Sequence, residues 1–325
     1  MGKARFAYLD TAKAYLIFLV ILGHVLIVLN PGYDKLYFTV VQEFIYVFHM
    51  PAFYVIHGVL FNNEKWKVIP ALDFIKKRAY SLIVPYLFFE VIGIFWRAIF
   101  QQQSISTGFL NMITIRCNVG ADWFLPAMFI GSLLFIIYVK HTNRIYGIVS
   151  TVACFVFPMF MSGSQIAVVL GRGMLAYGFI MIGNLAKNLF VSEKSKSILW
   201  LGVSLFATGI TAIISLKFGG NDFYTCTINN PVTLVIGGVS GTLLVLGVSR
   251  ILQCEVITVI GKHTLTIMGT HQLVIYAMTS LADDMYGGGI VKGIILLAAI
   301  VVFEIPVVYL IDRYLPFLVG KRNPK

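Results

Sequence analysis

Apolar runs of about twenty residues recur along this chain. Short polar segments that gather most of its Lys and Arg separate them. About twenty apolar residues in a helix cross a bilayer core of about 30 Å. The pattern predicts ten such spans, at about 12–30, 40–61, 79–100, 123–140, 145–161, 165–187, 197–217, 231–250, 256–280 and 290–312. The expected fold is an all-α polytopic membrane helix bundle, with residues 1–325 as one integral membrane domain. The start, Lys3 and Arg5 before an apolar run, imitates a signal peptide. No small-residue cleavage site follows it, so the first helix is expected to remain.

The loops orient the spans. With both termini in the cytoplasm, external segments hold only Lys35, Arg116, Lys217 and Lys292. Cytoplasmic segments take most of the other cations, including Lys76, Lys77, Arg78 and Arg144.

Composition narrows the class. The chain is 58% hydrophobic and 12% charged, against about 25% charged in soluble domains. The net charge of +11 sits beside predicted spans. It therefore reads as contact with an anionic lipid leaflet and argues against nucleic acid as a partner. The four cysteines lack metal-ligand spacing, and no metal is expected. Cys117 and Cys226 both fall in predicted external loops, where a disulfide can persist.

Candidate chemistry lies where ionisable residues enter spans, because such groups face a bundle interior or a cavity. Lys13 and His24 are eleven residues apart on the first helix. At about 100° per residue they return to one face, roughly 16 Å apart, with Asp10 on the same side. A neutral imidazole near pH 7 accepts a proton from a hydroxyl and returns it to a leaving group. His24 is thus a catalytic candidate, and Lys13 a candidate for an anionic substrate group. His49 precedes Pro51, which is expected to bend its helix and open backbone groups to a cavity. Arg172, between two glycines, calls for an anionic partner, either Glu43 or substrate. His271 stands half a turn off Lys262 and points to other neighbours. His57 and Arg97 read as structural. The sequence has no phosphate-binding loop and no nucleophile elbow, which weakens ATP-driven transport and serine hydrolysis.

Taken in order, these motifs resemble the acyltransferase family 3 integral membrane proteins. The resemblance rests on Lys13 and His24, Phe48-His-Met-Pro-Ala-Phe53 ending near Gly58, and Lys76-Lys-Arg78 before Pro85-Tyr86. It continues through Trp123-Phe-Leu125, Arg172 to Gly183, and His271, and so covers nearly the whole chain. His57 stands where serine is usual, and lysine replaces arginine in the first motif. The resemblance implies transfer of acetyl or another short acyl group from a cytoplasmic acyl-CoA, usually acetyl-CoA. The acceptor would be a hydroxyl of an extracytoplasmic or lipid-linked glycan, and the setting a bacterial inner membrane. On this reading His24 and His49 are expected to be catalytic, and Lys13 and Arg78 donor-binding. Arg172 and His271 would serve the acceptor or the oxyanion. The oligomeric state stays open, a homodimer included. A transporter or flippase for an anionic or glycan substrate is the rival reading, since it too uses buried charges and bent helices.

Overall fold

The computed structural model describes residues 7–141, 143–161, 163–282 and 287–320. Helices dominate, and the described residues contain only an isolated antiparallel bridge, Asp222 to Thr227. In chain order they are α1 (Ala7–Leu29), α2 (Leu36–Tyr46), α3 (His49–Leu60), α4 (Asn63–Val68) and α5 (Ala71–Arg78). Next come α6 (Val84–Phe100), α7 (Ile105–Ile113), α8 (Phe124–His141), α9 (Arg144–Val156), α10 (Gln165–Leu185) and α11 (Lys187–Val191). The chain continues through α12 (Ile198–Phe218), α13 (Pro231–Ile251), α14 (Glu255–Ile260), α15 (Thr264–Leu281) and α16 (Ile290–Tyr314).

Among the described residues, eight helical stretches are long and apolar enough to cross a membrane. They coincide with eight of the ten expected spans, and the other two differ for identifiable reasons. The stretch expected at 145–161 is apolar but short, a 13-residue helix ending in a 4-residue 3-10 turn around Pro158. The one expected at 256–280 is broken. Helix α14 stops at Ile260, and α15 begins at Thr264. Gly261 lies between them, packed so closely on the backbone of Asp10 that a Cβ would collide. Lys262 thus occupies a turn. Helix α15 is more polar than its counterparts because its Thr266, Thr270, His271, Gln272 and Thr279 are all buried in protein. By contrast, α12 and α16 are strongly apolar and little buried, as lipid-facing helices should be.

Local sequence explains the helix ends. Asn143, Ser164, Ser197 and Asn230 each accept hydrogen bonds from backbone N–H groups in the first turn of α9, α10, α12 and α13. The expected bend at Pro51 lies upstream of it, at Val47–Phe48. Pro51 has no N–H to give Val47, so it fits best in a first helical turn, where none is needed. Likewise a π-helical turn, Ala79–Ile83, precedes Pro85. Pro85 cannot donate to the carbonyl one turn back, and the wider turn absorbs the missing bond.

The chain divides into two compact units. The first comprises Met1–Leu16, Glu43–Arg78 and Ala127–Lys262. Its central contact is between α3 and α10. There Gly58 meets the carbonyl of Ile180 and Gly183 that of Val55, so a Cβ at either would strike backbone. Small residues permit this approach, which maximises packing where water gives no hydrophobic drive between helices. The second unit comprises Ile17–Gln42, Ala79–Pro126 and His263–Lys325. In it α6 packs on α15, and the Trp96 indole N–H donates to the carbonyl of Leu273 at 2.7 Å.

Candidate active site

The second unit gathers a cluster of buried polar groups from its apolar helices and from the segment before α8. Its foundation is Glu90, a fully buried residue of α6. The Glu90 carboxylate accepts from the backbone N–H of Asn118 at 2.8 Å and from that of Val119 at 3.1 Å. It also accepts from the Asn118 side-chain amide at 2.8 Å. That amide donates again to the carbonyl of Gly108, and its oxygen accepts from Gln103. These bonds pin the segment before α8, where Cys117 adopts a left-handed φ of 63°.

The pinned segment presents two backbone donors to α15. The N–H of Ala121 donates to Gln272 Oε1 at 3.0 Å, and that of Gly120 to the Tyr276 hydroxyl at 3.3 Å. The Tyr276 hydroxyl in turn donates to Gln272 Oε1 at 3.1 Å. With its carbonyl held by two donors, Gln272 must turn its NH₂ the other way. It meets the imidazole of His24, 3.0 Å from Nδ1 and 3.2 Å from Nε2. His24 lies on α1, roughly 26 Å along the axis from the first described residue. It is partly buried. Its ring centroid is 5.3 Å from that of His271, with the planes tilted by 41°. His271 is fully buried, and its Nδ1 lies 2.8 Å from the carbonyl of Ile267.

Two further buried carboxyl groups sit in this unit among the described residues. Glu304 on α16 is buried and receives the Thr270 hydroxyl at 2.8 Å, one residue from His271. Asp122 is fully buried, and neither of its oxygens has a hydrogen-bond partner among the described residues. Burial pushes the Asp122 carboxyl well above the ordinary range, and the nearby Glu90 adds to the effect.

The structure therefore brings together His24 and His271 of the six residues singled out from sequence. The other four belong to the first unit. Lys13 forms an ion pair with Asp10 at 2.6 Å, one helical turn away and partly exposed. His49 uses Nδ1 to bond the Ile45 carbonyl at 2.9 Å, a group that also accepts from the Phe48 backbone N–H at the break between α2 and α3. Arg78 packs its guanidinium over the rings of Phe74 and Phe61, at 5.2 and 5.9 Å. Arg172 is buried and donates Nε to the Tyr224 carbonyl at 2.8 Å, and its guanidinium covers the Tyr224 ring at 4.8 Å. The cysteines form no disulfide among the described residues. Cys226 instead packs its Sγ against Gly171, and burial pushes its thiol up to about 11.

Sequence reasoning passed over Gln272, Tyr276, Asn118 and Asp122. Gln272 is the residue after His271, but nothing in its spacing pointed to His24, 248 residues away. Glu90 carried a signal, being a carboxylate inside an apolar run. Its partners in a loop were not legible. No group of His, Cys, Asp and Glu fit to hold a metal ion occurs among the described residues.

The family described as "Acyltransferase domain" matches residues 6–313 of this chain. Two curated relatives are each 32% identical over 130 residues, covering 38% of this chain. They are the Nodulation protein NolL of Mesorhizobium japonicum and that of Sinorhizobium fredii. The matched region spans only about a third (34%) of the length of these relatives. No solved structure matches the chain.

Proposed function

Because the chain belongs to this acyltransferase family, we propose that it transfers a short acyl group, acetyl in the first instance, from acyl-CoA to a hydroxyl. The acceptor in this reading is an extracytoplasmic or lipid-linked glycan at a bacterial inner membrane. The observation that carries the proposal is the hydrogen bond from Gln272 to His24. It holds a neutral imidazole by its lone pair inside an apolar helix, and lone-pair nitrogen is what general-base catalysis requires.

The alcohol displaces Gln272 from that nitrogen and donates its proton there as its oxygen attacks the thioester carbonyl. The C–S bond breaks, and the thiolate leaves with the proton returned by His24. Lys13 and Arg78 supply cationic charge for the phosphates of the donor. Arg172 supplies charge on the acceptor side, and the Nε2 of His49 is available as a hydrogen-bonding group.

Mass spectrometry of envelope glycans and lipids, with and without the protein, tests the reading. The expected result is an acyl ester that disappears in His24→Ala while folded protein stays in the membrane. Full acylation in that variant would remove His24 from the centre. Glycan translocation with no acyl ester formed would support the transporter or flippase reading.

A further inference from the structure

We propose that His271 is a positioning residue for His24. Its Nε2 accepts the second ring N–H that His24 carries once it has taken the proton of the alcohol. The inference rests on the acyltransferase reading above and starts from a tautomer. The Ile267 carbonyl can only accept, so the Nδ1 of His271, 2.8 Å away, carries the hydrogen. The Nε2 of neutral His271 is then a lone pair. It is buried, with no hydrogen-bond partner among the described residues. Buried polar atoms are nearly always paired, so an unmatched one beside a catalytic candidate calls for a partner. The same tautomer removes the oxyanion role expected for His271, since its single N–H already serves the backbone.

The donor is within reach. Ring nitrogens lie about 1.1 Å from an imidazole centroid, so rings with centroids 5.3 Å apart can bring two nitrogens to roughly 3 Å by turning, a normal hydrogen-bond length. Protonation supplies the reason to turn. Neutral His24 accepts from the Gln272 amide, but protonated His24 has only N–H donors. Gln272 cannot flip to accept, because Ala121 and Tyr276 already hold its carbonyl. Gln272, already displaced by the alcohol, therefore cannot take the ring back while it is protonated, and the vacant lone pair of His271 is the acceptor at hand. When His24 gives its proton to the thiolate it becomes neutral again and returns to Gln272. No other reactant is consumed.

Other ionisable groups around α15 have partners of their own, His263 at its start being paired with Asp312 at 2.6 Å. Glu90 is held by Asn118 and Val119, Glu304 by Thr270, and Tyr276 by Gln272. Arg97 lies over the Tyr276 ring at 5.4 Å, and Asp122 sits in the turn before α8. None of them changes in the variants below.

The test uses the full chain in lipid nanodiscs with ¹⁵N-labelled histidine, as wild type, His271→Gln and His271→Met. His24 signals are assigned by their loss in His24→Gln. In wild type, His271 should show the Nδ1–H tautomer. The titration midpoint of His24 should fall by about one pH unit in His271→Met, which offers no acceptor. It should stay within a few tenths in His271→Gln, whose side-chain carbonyl replaces Nε2. An Nε2–H tautomer in wild type, or an unchanged midpoint in His271→Met, overturns the proposal. Should His271→Met not fold, the wild-type tautomer and the Gln variant still decide. In acyl transfer, kcat should fall roughly tenfold or more in His271→Met with KM for acyl-CoA unchanged. A coupled titration in a wild-type protein with no acyl transfer would retire the enzyme reading and leave the imidazole pair standing.

Discussion

Gln272 and His24 meet at 3.0 Å although the chain separates them by 248 residues, and the direction of the bond is settled by what else Gln272 touches. Its oxygen takes the Ala121 N–H and the Tyr276 hydroxyl, which leaves only N–H to offer the imidazole.

Gln272→Leu should therefore keep the helix but lose the grip on His24. The imidazole would no longer be held in one orientation, and kcat should fall about tenfold, the kinetic equivalent of one hydrogen bond. KM for acyl-CoA should change little. Acyl transfer measured with labelled acyl-CoA checks this, and an unchanged kcat would mean that His24 is positioned by other groups.

Glu90→Gln replaces a pure acceptor with a side chain that is half donor. Its NH₂ would face N–H groups from Asn118 and Val119. We expect a loss of about 3 kcal/mol or more, because buried donors are left unmatched. Thermal unfolding in detergent should show a clear drop in Tm, with less acyl transfer from what remains folded, since this carboxylate fixes the segment that holds Gln272.

Asp122→Asn should stabilise the protein, and the gain should depend on pH. The folded carboxyl titrates above its unfolded value of about 3.8. Below that value both states are protonated and the charge adds nothing. As pH rises past it, the unfolded chain loses its proton first, so the native Asp costs stability until the folded group also ionises. The variant removes that cost. Tm should exceed wild type at pH 7 to 8, and the difference should shrink as pH falls toward about 4. A constant difference across this range would point to packing in place of ionisation.

Gly183→Val should be severe. A side chain there strikes the backbone at Val55, which cannot move without parting α3 from α10. Overpacking costs about 1–3 kcal/mol even against flexible neighbours, so poor accumulation in the membrane or a large fall in Tm is expected.

Much of the architecture was legible in the pattern of residues. Membrane spans are written in runs of apolar residues, because lipid leaves a helix no other way to satisfy its backbone. His24 was legible for a related reason: a titratable ring in such a run is costly unless something in the protein receives it. The break at Gly261 and the burial of the polar side chains of α15 in protein were not. Both depend on which neighbour occupies the adjoining space, Asp10 in one case and surrounding protein in the other. The partners of each imidazole were likewise decided only by folding. The order of residues announces that a buried ring must be paired. Hydrogen bonds form across space at about 3 Å, and only the packed helices show that Gln272 holds His24 and that His271 lies beside it with a lone pair still to fill.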